Sequence, residues 1–124
     1  MAECTYKEVV FLHRGDPINE NLEIHTNWFV SSLTSKEGTT ARFEPNQADV
    51  TKLNAMVYDG KIPQMVADFI LQVLNLEGIE AVLISPKQIT LYKFVPVDWP
   101  PLIPTIVSLL AVHMNAKRKV SQVS

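Results

Sequence analysis

Pro63-Gln64-Met65-Val66-Ala67-Asp68-Phe69-Ile70-Leu71-Gln72-Val73-Leu74 is followed by Gly78-Ile79-Glu80-Ala81-Val82-Leu83-Ile84 and then by Gln88-Ile89-Thr90-Leu91-Tyr92-Lys93. The hydrophobic period changes along this stretch, and the change decides the fold class. In the first part Met65, Val66, Phe69, Ile70, Val73 and Leu74 form a helical stripe, with Gln64, Asp68 and Gln72 opposite it. Pro63 suits the first helical position, because its missing N–H would be unpaired there and its ring presets φ. Gly78 can stop the helix in a left-handed conformation. The runs beyond it are β-branched and of strand length. Ser85-Pro86-Lys87-Gln88 places Pro at the second turn position, so the two runs are expected to return on each other as an antiparallel hairpin. Ile89 and Leu91 should then face the helix, with Thr90 and Tyr92 behind them.

Earlier in the chain, Val9-Val10-Phe11-Leu12 reads as a strand closed by Gly15-Asp16-Pro17. In Leu22-Glu23-Ile24-His25-Thr26 the residues Leu22, Ile24 and Thr26 share one face and Glu23 and His25 the other. These two runs are expected to pair antiparallel. Thr39-Thr40-Ala41-Arg42-Phe43 is a weaker strand before Pro45-Asn46. Between residues 47 and 62, Val50, Leu53, Met56 and Val57 recur at helical spacing and suggest a short helix before Asp59-Gly60. After the hairpin, Val95-Pro96-Val97-Asp98-Trp99-Pro100-Pro101 loses ladder donors at each proline and should be an extended connector. A last helix follows, from about Leu102 or Pro104 to about Asn115, with Leu102, Ile106, Leu109, Leu110 and His113 near one face. Lys117, Arg118 and Lys119 would complement the negative end of its dipole as a flexible basic tail over residues 116–124.

The expected fold is α+β: a two-layer sandwich in which an antiparallel sheet of about four strands carries two main helices on one face. A chain of 124 residues suggests one domain over 1–124, with a core at about 8–115. It is 47% hydrophobic and 19% charged, far from disordered compositions, so it can build a core without staples. Eleven basic residues against thirteen acidic ones leave a net charge of −2, which gives no electrostatic footprint for nucleic acid. The amino terminus lacks the features of a targeting peptide, and the apolar run from Leu102 to Met114 is shorter than a membrane span. A cytoplasmic protein with no membrane partner is the expectation.

Cys4 is the only cysteine, so the chain has no internal disulfide, no CxxC pair and no thiolate set for a zinc or iron–sulfur site. His13, His25 and His113 lie on separate expected elements without metal-ligand spacing. No GxSxG elbow surrounds Ser31, Ser32 or Ser35, and the four glycines form no phosphate loop. Glu20 and Glu23 have no spacing that distinguishes them from a solvated face. The residues therefore point to no catalytic centre, no metal and no cofactor.

The order of these elements resembles the amino-terminal domain of the Nfu (NifU-like) iron–sulfur cluster scaffold proteins. Asp16-Pro17-Ile18-Asn19-Glu20-Asn21-Leu22-Glu23-Ile24 is similar to the family's first signature, a proline and asparagine turn leading into a strand. Pro17 and Leu22 match, the asparagine-proline-asparagine core does not stay in register, and Glu23 reverses the usual positive charge. Gly78-Ile79-Glu80-Ala81-Val82 and Gln88-Ile89-Thr90-Leu91-Tyr92-Lys93 resemble the second signature in order and spacing. Trp99 followed by Leu102, Pro104 and Ile106 is similar to the third. The likeness spans residues 15–115, with 47–62 as an insertion. Family scaffolds join this module to a second one whose CxxC holds the cluster, and this chain has no CxxC. The resemblance thus implies an accessory module standing alone: a non-catalytic adapter for iron–sulfur assembly or recipient proteins, monomeric or weakly dimeric, that does not itself ligate a cluster. Partner contacts are expected at Pro17, Asn19, Asn21 and Lys93. The alternatives are a homodimeric structural or regulatory protein associating through the apolar last helix, and an enzyme using His25 or His113 as acid or base.

Overall fold

The computed structural model describes residues 7–15, 21–33, 40–94 and 97–118. Pro17, Asn19, Cys4, Ser35, Thr39 and Pro96 lie outside these residues. The first strand, β1 (Lys7–Arg14), pairs antiparallel with β2 (Asn21–Thr26), opposing Phe11 to Ile24 and Val10 to His25. After β3 (Ala41–Phe43) come two helices, α1 (Gln47–Tyr58) and α2 (Gln64–Leu74). The hairpin is β4 (Ile79–Ser85) and β5 (Gln88–Lys93), closed at Ser85 and Gln88 around Pro86-Lys87. Last are α3 (Ile103–Met114) and β6 (Ala116–Arg118).

The expected α+β class holds, but the sheet is larger than four strands. Among the described residues it has six, in the order β3-β4-β5-β2-β1-β6, and it is mixed because β6 runs parallel to β1. The supposed flexible basic tail therefore begins as a strand over Ala116–Arg118. Asn115 is the reason: it takes a left-handed conformation (φ 52°, ψ 41°) and turns the chain straight out of α3 onto the sheet edge. Short amide-bearing residues tolerate that region better than others. Ala116 is buried, and the Arg118 guanidinium lies 4.4 Å from the Phe11 ring centre.

Among the described residues three helices stand where two main ones were expected. Helix α1 is stronger than its apolar spacing suggests, because Asn46 accepts the Asp49 N–H at 2.8 Å while the Asp49 carboxylate accepts the Glu44 N–H at 2.6 Å. It stands at the β3 edge. There Lys52 donates to the Arg42 carbonyl at 2.8 Å, occupying a backbone acceptor on this short edge strand. Pro63 precedes α2 as its extended N-cap (φ −61°, ψ 149°), one residue outside the expected place. Met65 leaves the expected stripe and is 40% exposed, while Val66, Phe69, Ile70, Val73 and Leu74 are buried and Ala67 joins them. Gly78 adopts its positive φ (98°) beyond the helix end, at the entry to β4, where its carbonyl accepts the Phe94 N–H.

The core lies between one face of the sheet and α2 and α3. Val9, Phe11, Leu22, Ile24, Ile89, Leu91, Val82, Ile84 and Phe43 line it from the strands, and Phe69, Ile70, Ile106 and Leu110 from the helices. Trp99 is buried in the same cluster. Alternation along the strands places the remaining side chains on the opposite face, which no helix covers among the described residues.

Candidate functional site

The uncovered face gathers its polar residues around Glu23. Cross-strand pairing aligns Leu12, Glu23, Thr90, Leu83 and Arg42 in one row, flanked by Val10, His25, Gln88 and Ser85 on one side and by Arg14 and Asn21 on the other. Tyr92 and Ala81 oppose each other in line with the last two. His25 Nε2 donates to Glu23 Oε1 at 2.8 Å and Arg14 Nε donates to the same oxygen at 3.2 Å. The Glu23 side chain is only 19% exposed. Burial alone would raise its pKa, but the bonds from His25 and Arg14 outweigh that and hold it below the ordinary value. Glu23 is thus fixed as an anion whose partners sit on the same face.

Apolar surface surrounds this cluster. Leu12 is 39% exposed, and Val10, Leu83 and Tyr92 are half-buried. The Arg42 guanidinium lies 5.2 Å from the Tyr92 ring centre and 3.4 Å from Glu44. Gln88 donates to Thr90 at 2.9 Å. Every charged group named here has a protein partner, so the face is ordered before anything binds it.

Of the residues the sequence singled out, Asn21 opens β2 opposite Arg14 and Lys93 closes β5 opposite Ile79. Alternation places Asn21 on the uncovered face and Lys93 on the helix side, so the two do not form one patch. Pro17 and Asn19 are outside the described residues. The histidines do not converge: His25 is on the uncovered face, His13 on the other side of the sheet and His113 on α3. No group of three His, Cys, Asp or Glu among the described residues could hold a metal ion. Nor is any described helix long and apolar enough to cross a membrane.

Sequence reading missed the hydrogen-bonded Arg14–Glu23–His25 cluster. The alternation already placed Glu23 and His25 on one strand face, two residues apart, but Arg14 reaches them only through the β1–β2 register. A cleft of about 400 Å³ between β3 and α1 is lined by Leu33, Ala41, Met56 and Lys52 among others. Lys52 is engaged there by the Arg42 carbonyl and by the Phe43 ring, 4.8 Å away. The cleft therefore lacks an uncommitted group at that position to recognise a ligand. No protein-family model, curated protein or solved structure matches the chain.

Proposed function

We propose that this chain is a non-catalytic binding module that docks on another protein through the uncovered face of its sheet. The observation that supports this reading is the sheet face itself: Leu12, Leu83 and Tyr92 offer apolar area around a preordered Arg14–Glu23–His25 cluster. Such a face provides apolar contact area and orientation through its charged groups. The sequence resemblance supplies the pathway in this proposal, namely iron–sulfur cluster assembly or delivery in the cytoplasm, with the chain acting as an adapter and not as a cluster ligand. Within it the protein is a monomer or a weak homodimer.

Partner capture tests the reading. The tagged chain and its Leu12→Asp and Tyr92→Ala variants are isolated without oxygen from native cells, and enriched proteins are identified by mass spectrometry. Cluster scaffolds, carriers or iron–sulfur apoproteins should be enriched with the unmodified chain and lost with both variants. Retention by both variants would remove the sheet face from the proposal. Enrichment of an unrelated pathway would remove the iron–sulfur assignment, and stoichiometric iron with sulfide in the purified chain would overturn its non-ligand role.

A further inference from the structure

At one end of the sheet β2 runs out into Trp28-Phe29, and a lysine lies over each of these adjacent rings. Lys7 Nζ is 5.5 Å from the Trp28 ring centre, and Lys87 Nζ is 4.8 Å from that of Phe29. Backbone bonds fix the frame. The Thr26 N–H donates to the Lys87 carbonyl at 3.0 Å and the Val30 N–H to the Pro86 carbonyl at 2.7 Å. Thr26 Oγ1 donates to the Trp28 carbonyl at 2.7 Å, and the Glu8 N–H donates to Asn27 Oδ1 at 3.0 Å. Within this frame Phe29 is 67% exposed. The partly exposed Met65 accepts from Lys7 Nζ at 3.3 Å through its sulfur.

Neither lysine is ion-paired with a carboxylate among the described residues; a ring, and for Lys7 also a thioether, is what each contacts. Both contacts are weaker than an ion pair with a desolvated carboxylate, so each ammonium keeps unspent capacity for an anion. The patch is thus apolar and cationic at once, on a chain whose net charge is −2. We infer that it docks an acidic peptide segment of a partner protein, with carboxylates on Lys7 and Lys87 and an apolar side chain on Phe29 and Met65.

Charge complementarity favours this occupant. The rigid frame lowers the ordering cost of a peptide contact. One exposed ring with two lysines falls short of the two strong signals that stable membrane attachment needs. An acidic chain gives no general field for a nucleic acid. The groups that would hold the peptide include none of Arg14, Glu23 and His25, so the inference does not depend on the function proposed for the sheet face.

The test is selection from a phage-displayed library of random short peptides on the immobilised full chain, compared with the Lys7→Ala/Lys87→Ala double variant and with Phe29→Ser. Peptides with several Asp or Glu around an apolar residue should be selected. Their affinity should fall at least about tenfold on the double variant and on Phe29→Ser, and should weaken with added salt. Nitrogen-15 NMR of the unmodified chain with a selected peptide should move the signals of Lys7, Trp28, Phe29, Met65 and Lys87. Peptides without acidic enrichment, equal binding to the variants, or signals moving elsewhere would overturn the inference. Binding to phosphatidylcholine vesicles containing phosphatidylserine, with no acidic peptide selected, would overturn it in favour of a lipid surface.

Discussion

The two faces of the sheet are made by alternate residues of the same strands, yet they differ in almost every physical property. On one, Val9, Phe11, Leu22, Ile24, Ile89 and Leu91 are buried beneath the helix layer. On the other, one residue along, Leu12 is exposed and Glu23 is hydrogen-bonded by His25 and ion-paired with Arg14. A register slip of one residue would turn Glu23 and His25 toward the buried face, where an imperfectly paired charge is costly. The difference teaches that one face sets the fold, and that its demands fix which side chains the other can display.

The largest effect should come from the covering layer. Phe69→Ala removes a fully buried ring, and denaturant melting should show a loss of about 3–5 kcal/mol. An unchanged melt would mean that the two faces are less distinct than their burial indicates. Next are the turns that bring helices back to the sheet. At Gly78 a Cβ would lie 2.9 Å from Val97 Cγ1 on a backbone of positive φ, so Gly78→Ala should cost about 1–3 kcal/mol. Asn115→Val should cost about 1–2 kcal/mol at its left-handed position, whereas Asn115→Gly should be tolerated. The same melts would separate a conformational requirement from an amide-specific one.

On the uncovered face the effects on stability should be small. Leu12→Ala should shift stability by no more than about 0.5 kcal/mol while weakening partner capture, a split the core face cannot give. Glu23 provides the finest test, through acid. Its folded pKa lies below the ordinary value near 4.5, so its stabilising contribution is full above that value. The contribution is lost as pH falls through the folded pKa. Glu23→Gln should therefore lose most relative to the unmodified chain near neutrality, and the two melting curves should approach each other in acid. A gap independent of pH would mean that the carboxylate does not carry this dependence.

Much of the fold was legible because hydrophobic period is local information. The α2 stripe, the β4–β5 hairpin and the β1–β2 pair follow from spacings within a few residues, and Pro86 acts where its backbone preference indicates, whereas α2 is capped at Asn75 and Gly78 takes its positive φ at the entry to β4. Helix α1 was visible only in outline, since it buries Leu53 alone and depends on a cap in which Asn46 accepts the Asp49 N–H and Asp49 accepts the Glu44 N–H. Strand β6 was not legible. Ala116-Lys117-Arg118 has no strand signature, and its pairing comes from a parallel partner more than a hundred residues away in the chain.

The candidate surfaces divide along the same line. That Glu23 and His25 share a strand face is a matter of alternation, which the chain carries by itself. That Arg14 completes their cluster, that Lys93 and Asn21 part to opposite faces, and that Lys7 and Lys87 meet the rings of Trp28 and Phe29 depends on strand order and register. The sequence by itself determined the α+β class, most of the elements and the residues that must be buried, because helical and extended periods are written into neighbouring residues. Only the tertiary structure decided which charged and aromatic side chains meet, because those meetings join segments that no local spacing connects.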